Sequence, residues 1–298
     1  MSRFEEILID GDLVVYSICA AAEYGNDIAY VRLEEILSAI DSKIMFLKNR
    51  TESKKARVFF SGSRNFRFDL MPEYKAHRRD KERPYYLEAA RKYVEAKWDA
   101  ESMEGLEADD LMCIYQKQDG TTIIATIDKD MLQCKGWHYR WETQHKGEAF
   151  IEVDNVGKLV CTINDKNAKK ITGYGPLFLC WQLLTGDTTD NVMGCGKKVT
   201  KIRKSGKDAG QTYEAREGVG AVEAYDLLAH CKSYAEGMNV VRNEYFKMFG
   251  GEWEENLLKQ GRCLYMTTRI TDGKLQLWHH ATNRLNESLY CLETRMFG

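Results

Sequence analysis

The sequence predicts an α/β fold, a mostly parallel central sheet flanked by helices, followed by a mainly helical C-terminal part. Two patterns carry this expectation. Short apolar runs of strand type, Ile7-Leu8-Ile9, Val58-Phe59-Phe60 and Thr122-Ile123-Ile124-Ala125-Thr126, alternate with helical patterns in the first half. After about residue 170 the helical pattern dominates, with candidate helices near 175–185, 219–230, 238–248 and 254–264. No internal repeat or low-complexity linker separates the halves. The organisation expected is therefore an α/β part over 1–170 and a helical part over 171–298 packed directly on it, or one continuous domain.

Taken in order, Ile7-Leu8-Ile9 ends in Asp10-Gly11-Asp12 and leads into a helix from Leu13 to Ala22. Leu33, Leu37, Ile40, Ile44 and Leu47 recur at three-to-four spacing, which marks one amphipathic helix. A helical pattern over Glu107 to Lys117 precedes the run Thr122–Thr126, after which come Asp128 and Asp130. Ligands of an open parallel sheet bind beyond the carboxyl ends of its strands. Acids distant in sequence thus reach one edge.

A chain of 298 residues with 44% hydrophobic content can bury a sizeable core. No segment reaches the roughly 20 apolar residues of a membrane span, and none resembles a secretory leader, so the expectation is a soluble cytoplasmic protein with no membrane partner. Nine scattered cysteines without a Cys-x-x-Cys pair read as free thiols rather than a disulfide frame or a zinc knuckle.

The net charge of −2 conceals two basic stretches. Residues 64–97 hold Arg64, Arg67, Lys75, His77, Arg78, Arg79, Lys81, Arg83, Arg91, Lys92 and Lys97, and a second run holds Lys197, Lys198, Lys201, Arg203, Lys204 and Lys207. Tyr74, Tyr85 and Tyr86 among the first set suit a lid that stacks bases and binds the phosphates of a threaded single strand. A solvated helix face is the plainer alternative.

Five segments carry acids: Asp10-Gly-Asp12, Glu107-Ala-Asp109-Asp110, Asp128-Lys129-Asp130, Asp187 and Asp190. Each alone reads equally well as a turn or a helix cap. Together, carboxylates in one cavity persist only if some protonate or cations neutralise them. Oxygen-only ligands favour magnesium or manganese over zinc. Two such ions about 4 Å apart activate a water and stabilise the leaving oxygen of a phosphoryl displacement. Ile9-Asp10-Gly11-Asp12-Leu13-Val14 also fits the nucleophile motif of haloacid-dehalogenase-type phosphohydrolases, with Asp10 attacking a small phosphate ester, but that chemistry leaves the other acids unused.

The ordered series Ile-Asp10-Gly-Asp12, Phe-Arg-Phe-Asp-Leu-Met-Pro72-Glu-Tyr74-Lys75-Ala-His-Arg78, Glu107-Ala-Asp-Asp110, Thr126-Ile-Asp128-Lys-Asp130, Gly186-Asp-Thr-Thr-Asp190-Asn191 and Gly218-Val-Gly220 resembles the 5′-nucleases, or flap-endonuclease family. It is most similar to the short 5′→3′ exonucleases of phages, from Ile7 to about Leu264. The resemblance implies a PIN-like 5′-nuclease fold with a helix–hairpin–helix-like element, and hydrolysis of DNA phosphodiesters with two Mg2+ ions, for which Mn2+ can substitute. It further implies one metal centre from Asp10, Glu107 and Asp109, and another from Asp128, Asp130 and Asp187, with Asp190 in its outer shell and Asp110 near both.

By the same resemblance Lys75 and Arg78 lie by the scissile phosphate, with Tyr74, Arg79 and Lys81 along the strand. Gly218 and Gly220 would meet a phosphate at a helix start, where a monovalent cation is also expected. Lys201 and Lys204 would contact further duplex phosphates. The implied partners are DNA with a 5′ end or flap, and RNA–DNA hybrids, for a phage protein acting in the host cytoplasm. Two departures stand out: relatives often carry an aspartate where this chain has Gly62, and Lys197 to Arg216 is an insertion that forms either a duplex-contacting arm or a mobile loop. The reading from another class is a catalytically silent DNA-binding relative.

Overall fold

The computed structural model describes residues 2–78, 81–163 and 167–280, together with the backbone of 289–290. Ile7, Leu8 and Ile9 offer water nothing polar, and all three are fully buried within a six-stranded sheet of order β3-β2-β1-β4-β5-β6. Its strands are β1 (Phe4–Asp10), β2 (Ser53–Asn65), β3 (Glu101–Gly105), β4 (Thr122–Ala125), β5 (Gly136–Arg140) and β6 (Ala149–Val153). All neighbours run parallel except β5 and β6.

Strand side chains alternate between faces, and the core follows that period. Ile7 and Ile9 pack with Val58 and Phe60 under α1 (Gly11–Glu23), α2 (Leu33–Arg50) and α4 (Leu87–Trp98). Leu8, Phe59 and Ile124 face the other way, onto α5 (Ala108–Tyr115). The chain leaves β1 toward β2 and β3 and returns on the other side of β1 at β4. The ends of β1 and β4 therefore flank a topological switch point, where ligand crevices form.

A third apolar cluster joins α6 (Gly175–Thr185), α7 (Ala221–Leu228), α8 (Tyr234–Phe249) and α9 (Trp253–Leu264), close to the four helices the periodicity predicts. Met71 and Tyr74, which follow the short α3 (Arg67–Leu70), belong to this cluster. The start of the basic 64–97 stretch is thus rooted in the helical half rather than lying wholly open as a lid.

The antiparallel pairs β7 (Lys158–Ile163) with β8 (Lys169–Tyr174) and β9 (Gly196–Ile202) with β10 (Thr212–Gly218) show no apolar alternation in the sequence. Both faces of the second pair are largely exposed, which removes the signal. The 197–216 insertion is accordingly a twisted β-ribbon. Its base is held by Arg216, whose guanidinium donates to the carbonyls of Leu184, Met193, Cys195 and Val219. Among the described residues, no helix is long and apolar enough to cross a membrane.

Candidate active site

Asp10 ends β1 and caps α1. Its Oδ1 accepts the Leu13 amide at 2.9 Å and its Oδ2 accepts the Thr126 hydroxyl, from the end of β4, at 2.9 Å. Gly11 follows because α1 starts against β2, where a Cβ would lie 2.7 Å from the Phe59 carbonyl oxygen. Burial, reinforced by Asp12 and Asp128, pushes the Asp10 carboxyl up to about 7.

Glu107 is the N-cap of α5 and not, as the periodicity suggests, part of its first turn. Its backbone N–H donates to Asp110 at 3.2 Å, a capping box closed by two acids. Asp109, turned away from Asp110, belongs electrostatically with Asp10 and Asp128. Burial first, then those two carboxylates and Glu107, hold it well above the usual range.

Asp110 faces inward. It is fully buried, and Arg67, also fully buried, donates to both its oxygens at 2.7 and 2.8 Å. Asp110 also accepts the Thr267 amide at 2.9 Å, while Arg67 reaches the carbonyls of Cys263 and Tyr265 at 3.0 Å each. This corrects the placing of Asp110 near both metal centres: its oxygens are engaged by protein groups. It also removes Arg67 from the exposed basic strip.

Tyr74 requires a second correction. Its side chain is fully buried, and its hydroxyl donates to Asp190 at 2.9 Å and Glu107 at 3.1 Å, so its ring has no face to offer a base. Lys75, at a φ of 51°, directs its ammonium to Glu107 Oε1 at 2.6 Å, with Asp190 at 3.6 Å. Such left-handed backbone on a non-glycine residue is strained and is characteristic of functional sites. The Lys75 amide donates to the Asp190 carbonyl at 2.9 Å, and Arg78 pairs with the Asp190 carboxylate at 2.9 Å. Asp190 thus serves Tyr74, Lys75 and Arg78, while Asp187 faces a different partner. Burial alone would raise Glu107, but Lys75 and Arg67 hold it below the usual range.

Beyond β4, Asp128 accepts the Asp130 amide at 2.8 Å. The Lys129 ammonium bridges Asp130, at 2.7 Å, and Asp187. Burial and the charge of Asp128 push Asp130 up to about 7, with Lys129 opposing. Burial would raise Asp187 too, but Lys129 and the Thr189 amide hold it low. The acid pattern in the sequence assigns no role to Lys129, whose contacts with Asp130 and Asp187 arise only in the fold.

The acids at this edge offer only oxygen, which suits hard divalent ions: Asp10, Asp128 and Glu107 bear on Asp109, and Asp128 and Asp187 bear on Asp130. Lys75 stands between Glu107 and Asp190, and Lys129 between Asp130 and Asp187. Among the described residues, the trio of potential ligands whose atoms lie within 4.8 Å of one another is instead Glu254, His279 and His280, where His280 Nε2 and a Glu254 carboxylate oxygen are hydrogen-bonded at 2.7 Å.

Of the residues assigned to nucleic acid, Arg79 lies outside the described residues. Lys81, Lys201 and Lys204 are exposed, the last two on the ribbon and its loop. Gly218 ends β10 and Gly220 caps α7, but the Gly220 amide already donates to Glu223 at 3.2 Å and Arg216 takes the Val219 carbonyl at 2.9 Å. At Gly62 an added Cβ would stand 2.4 Å from the Met103 carbonyl oxygen. The neighbouring Ser61 amide instead donates to Asp12 at 2.8 Å, which brings a carboxylate to the strand end from the first turn.

A parallel sheet that gathers carboxylates at its switch point, with lysines between them, defines a phosphoryl-transfer type of site. The family described as 5′-3′ exonuclease, N-terminal resolvase-like domain, matches residues 5–158, and the chain belongs to that family. It is a nuclease of the hydrolase class, and the phosphohydrolase reading of Asp10 falls with that assignment. The fold is similar to a bacteriophage T5 flap endonuclease in a pseudo-enzyme–product complex with DNA and metal ions, at 13% identity and TM-score 0.55, over 87% of this chain and 88% of that one. The same T5 protein co-crystallized with metal ions matches at 14% identity and TM-score 0.53, over 87% and 88%.

Proposed function

We propose that the chain is a Mg2+-dependent 5′→3′ exonuclease and structure-specific 5′-nuclease of DNA, with Mn2+ able to substitute. The observation that carries this is the convergence of Asp10, Glu107, Asp109, Asp128, Asp130 and Asp187 on one sheet edge with no sulfur or nitrogen ligand among them. When bound, a pair of ions supplies an activated water and stabilises the leaving oxygen. The chain's own groups do the rest. Glu107, Asp109 and Asp10 hold one ion, and Asp128, Asp130 and Asp187 the other. Lys75 and Arg78, set by Tyr74 and Asp190, stabilise charge on the reacting phosphate. The T5 enzyme's complex with DNA and metal ions supports the same substrate class here.

In this reading residues 1–170 carry most of the chemistry, joined by Asp187 and Asp190, while the rest of 171–298 grips the duplex through the ribbon lysines Lys201 and Lys204 and the Gly218–Gly220 turn, with a monovalent cation at that turn. The strand degraded is DNA or the RNA of a hybrid, and the likeness to phage enzymes supports action in a host cytoplasm. Digestion of 5′-labelled and 3′-labelled duplex, flap and hybrid substrates, with Mg2+ and with EDTA, tests the reading. Release from the 5′ end only with metal is expected. Undiminished hydrolysis in EDTA sinks the two-metal scheme, and DNA binding with no turnover returns the silent-relative reading.

A further inference from the structure

A cavity of about 350 Å³ opens beside the proposed ligands Asp10 and Asp128, and its remaining charged lining is Lys129, Arg140 and Lys146. Arg140 ends β5, and its guanidinium donates to the backbone carbonyls of Asp128, at 2.8 Å, and Ile127. Lys146 sits in the β5–β6 turn, held by paired backbone hydrogen bonds with Thr143. Neither makes an ion pair with a carboxylate among the described residues. The like charges of Arg140 and Lys170 both bear on Lys146. Asp10 and Asp128 share the cavity wall, but neither pairs with Arg140 or Lys146, and two cations set side by side favour an anion.

The sheet order decides which anion. Lys75 and Arg78 meet Glu107 and Asp190, and Glu107 follows β3, whereas Arg140 ends β5 on the other side of β1 and β4. β3 and β5 stand four strand spacings apart in the sheet, about 19 Å, so the two sets of cations approach the acids from opposite sides. We propose that Arg140 and Lys146 form a subsite for a second phosphate of the substrate strand, next to the one cleaved. The subsite rests on the nuclease reading and extends it: the acids would hold the metal, and a cation on each flank would hold the strand across it.

A double-mutant cycle tests this. Binding of wild type, Lys146→Gln and Arg140→Gln is measured in Ca2+, under conditions without cleavage, against DNA carrying one neutral methylphosphonate at each successive position. At one position the wild type should lose about three- to tenfold in affinity, and the variants little, because the charge removed from the DNA no longer has its partner. Comparing 5′-phosphorylated with 5′-hydroxyl ends shows whether that position is terminal or internal, and either supports the subsite. Lys146→Gln alters an exposed turn side chain, so it keeps the test interpretable if Arg140→Gln disturbs the Ile127–Asp128 backbone. Equal penalties in wild type and Lys146→Gln at every position overturn the subsite. If that result accompanies metal-dependent cleavage, the nuclease reading stands; if DNA is neither bound nor cut, both fall.

Discussion

The Arg67 guanidinium grips the Asp110 carboxylate through two parallel hydrogen bonds of 2.7 and 2.8 Å, with neither side chain reaching water. The pair ties the catalytic helix α5 to the chain leaving α9, because Arg67 also holds the Cys263 and Tyr265 carbonyls and Asp110 the Thr267 amide. Removing one partner strands a buried charge, at a cost of about 3–5 kcal/mol. Arg67→Met should lower urea stability by that order, and adding Asp110→Leu should recover part of it. A single change below about 1 kcal/mol would refute the tether.

Lys129 shares oxygens of Asp130 and Asp187 with any ion bound there. An ammonium and a divalent cation compete for the same lone pairs. Lys129→Met should therefore tighten Mn2+ binding in calorimetry, while Asp128→Ala and Asp187→Ala should weaken it and cut turnover far more than DNA affinity. Unchanged or weaker Mn2+ binding by Lys129→Met would show that the lysine is no competitor.

The Asp10 carboxyl, pushed up to about 7 in the fold against about 3.9 for a free aspartate, binds its proton more tightly in the native chain than in the unfolded one. Its contribution to stability is therefore complete below about pH 4 and is lost as pH rises through 7. In EDTA, Asp10→Asn should raise the melting temperature at pH 8 and alter it less at pH 5. An equal change at both values contradicts the shift. Added Mg2+ should favour wild type at pH 8 instead.

Placing an aspartate at Gly62 should fail. A side chain there meets the Met103 carbonyl oxygen at 2.4 Å and the Glu104 Cα at 2.9 Å, both backbone. Gly62→Asp should melt lower than wild type without binding metal more tightly. A stable variant with a lower metal requirement would show that β3 can yield.

Lys75 is half-buried against Glu107 and Asp190, whereas Lys201 stands exposed on the ribbon. If Lys75 acts on charge that develops during reaction, Lys75→Ala should slow single turnover at saturating DNA by about 10²-fold, with a smaller change in affinity. Lys201→Ala should weaken binding and flatten its salt dependence at an unchanged saturated rate. The reverse pattern would exchange the two roles.

Local pattern made β1 and β4 legible, because their apolar runs are too short for a helix and end at turn residues, as in a buried strand delivering its acid to an edge. The helices from Gly175 onward were equally legible from their apolar spacing. Charge alone could not show which basic and acidic side chains would be exposed. Arg67 and Asp110 lie 43 positions apart and become partners only when α3 and α5 are packed together, where a buried charge must find its opposite. Tyr74 sits among cations in sequence, yet tertiary contact buries its ring with the helical half and points its hydroxyl at Asp190. The ribbon and the Arg140–Lys146 cavity left no periodic trace, since exposed strands need no apolar alternation and β5 carries Arg140 to Asp128 only through sheet pairing.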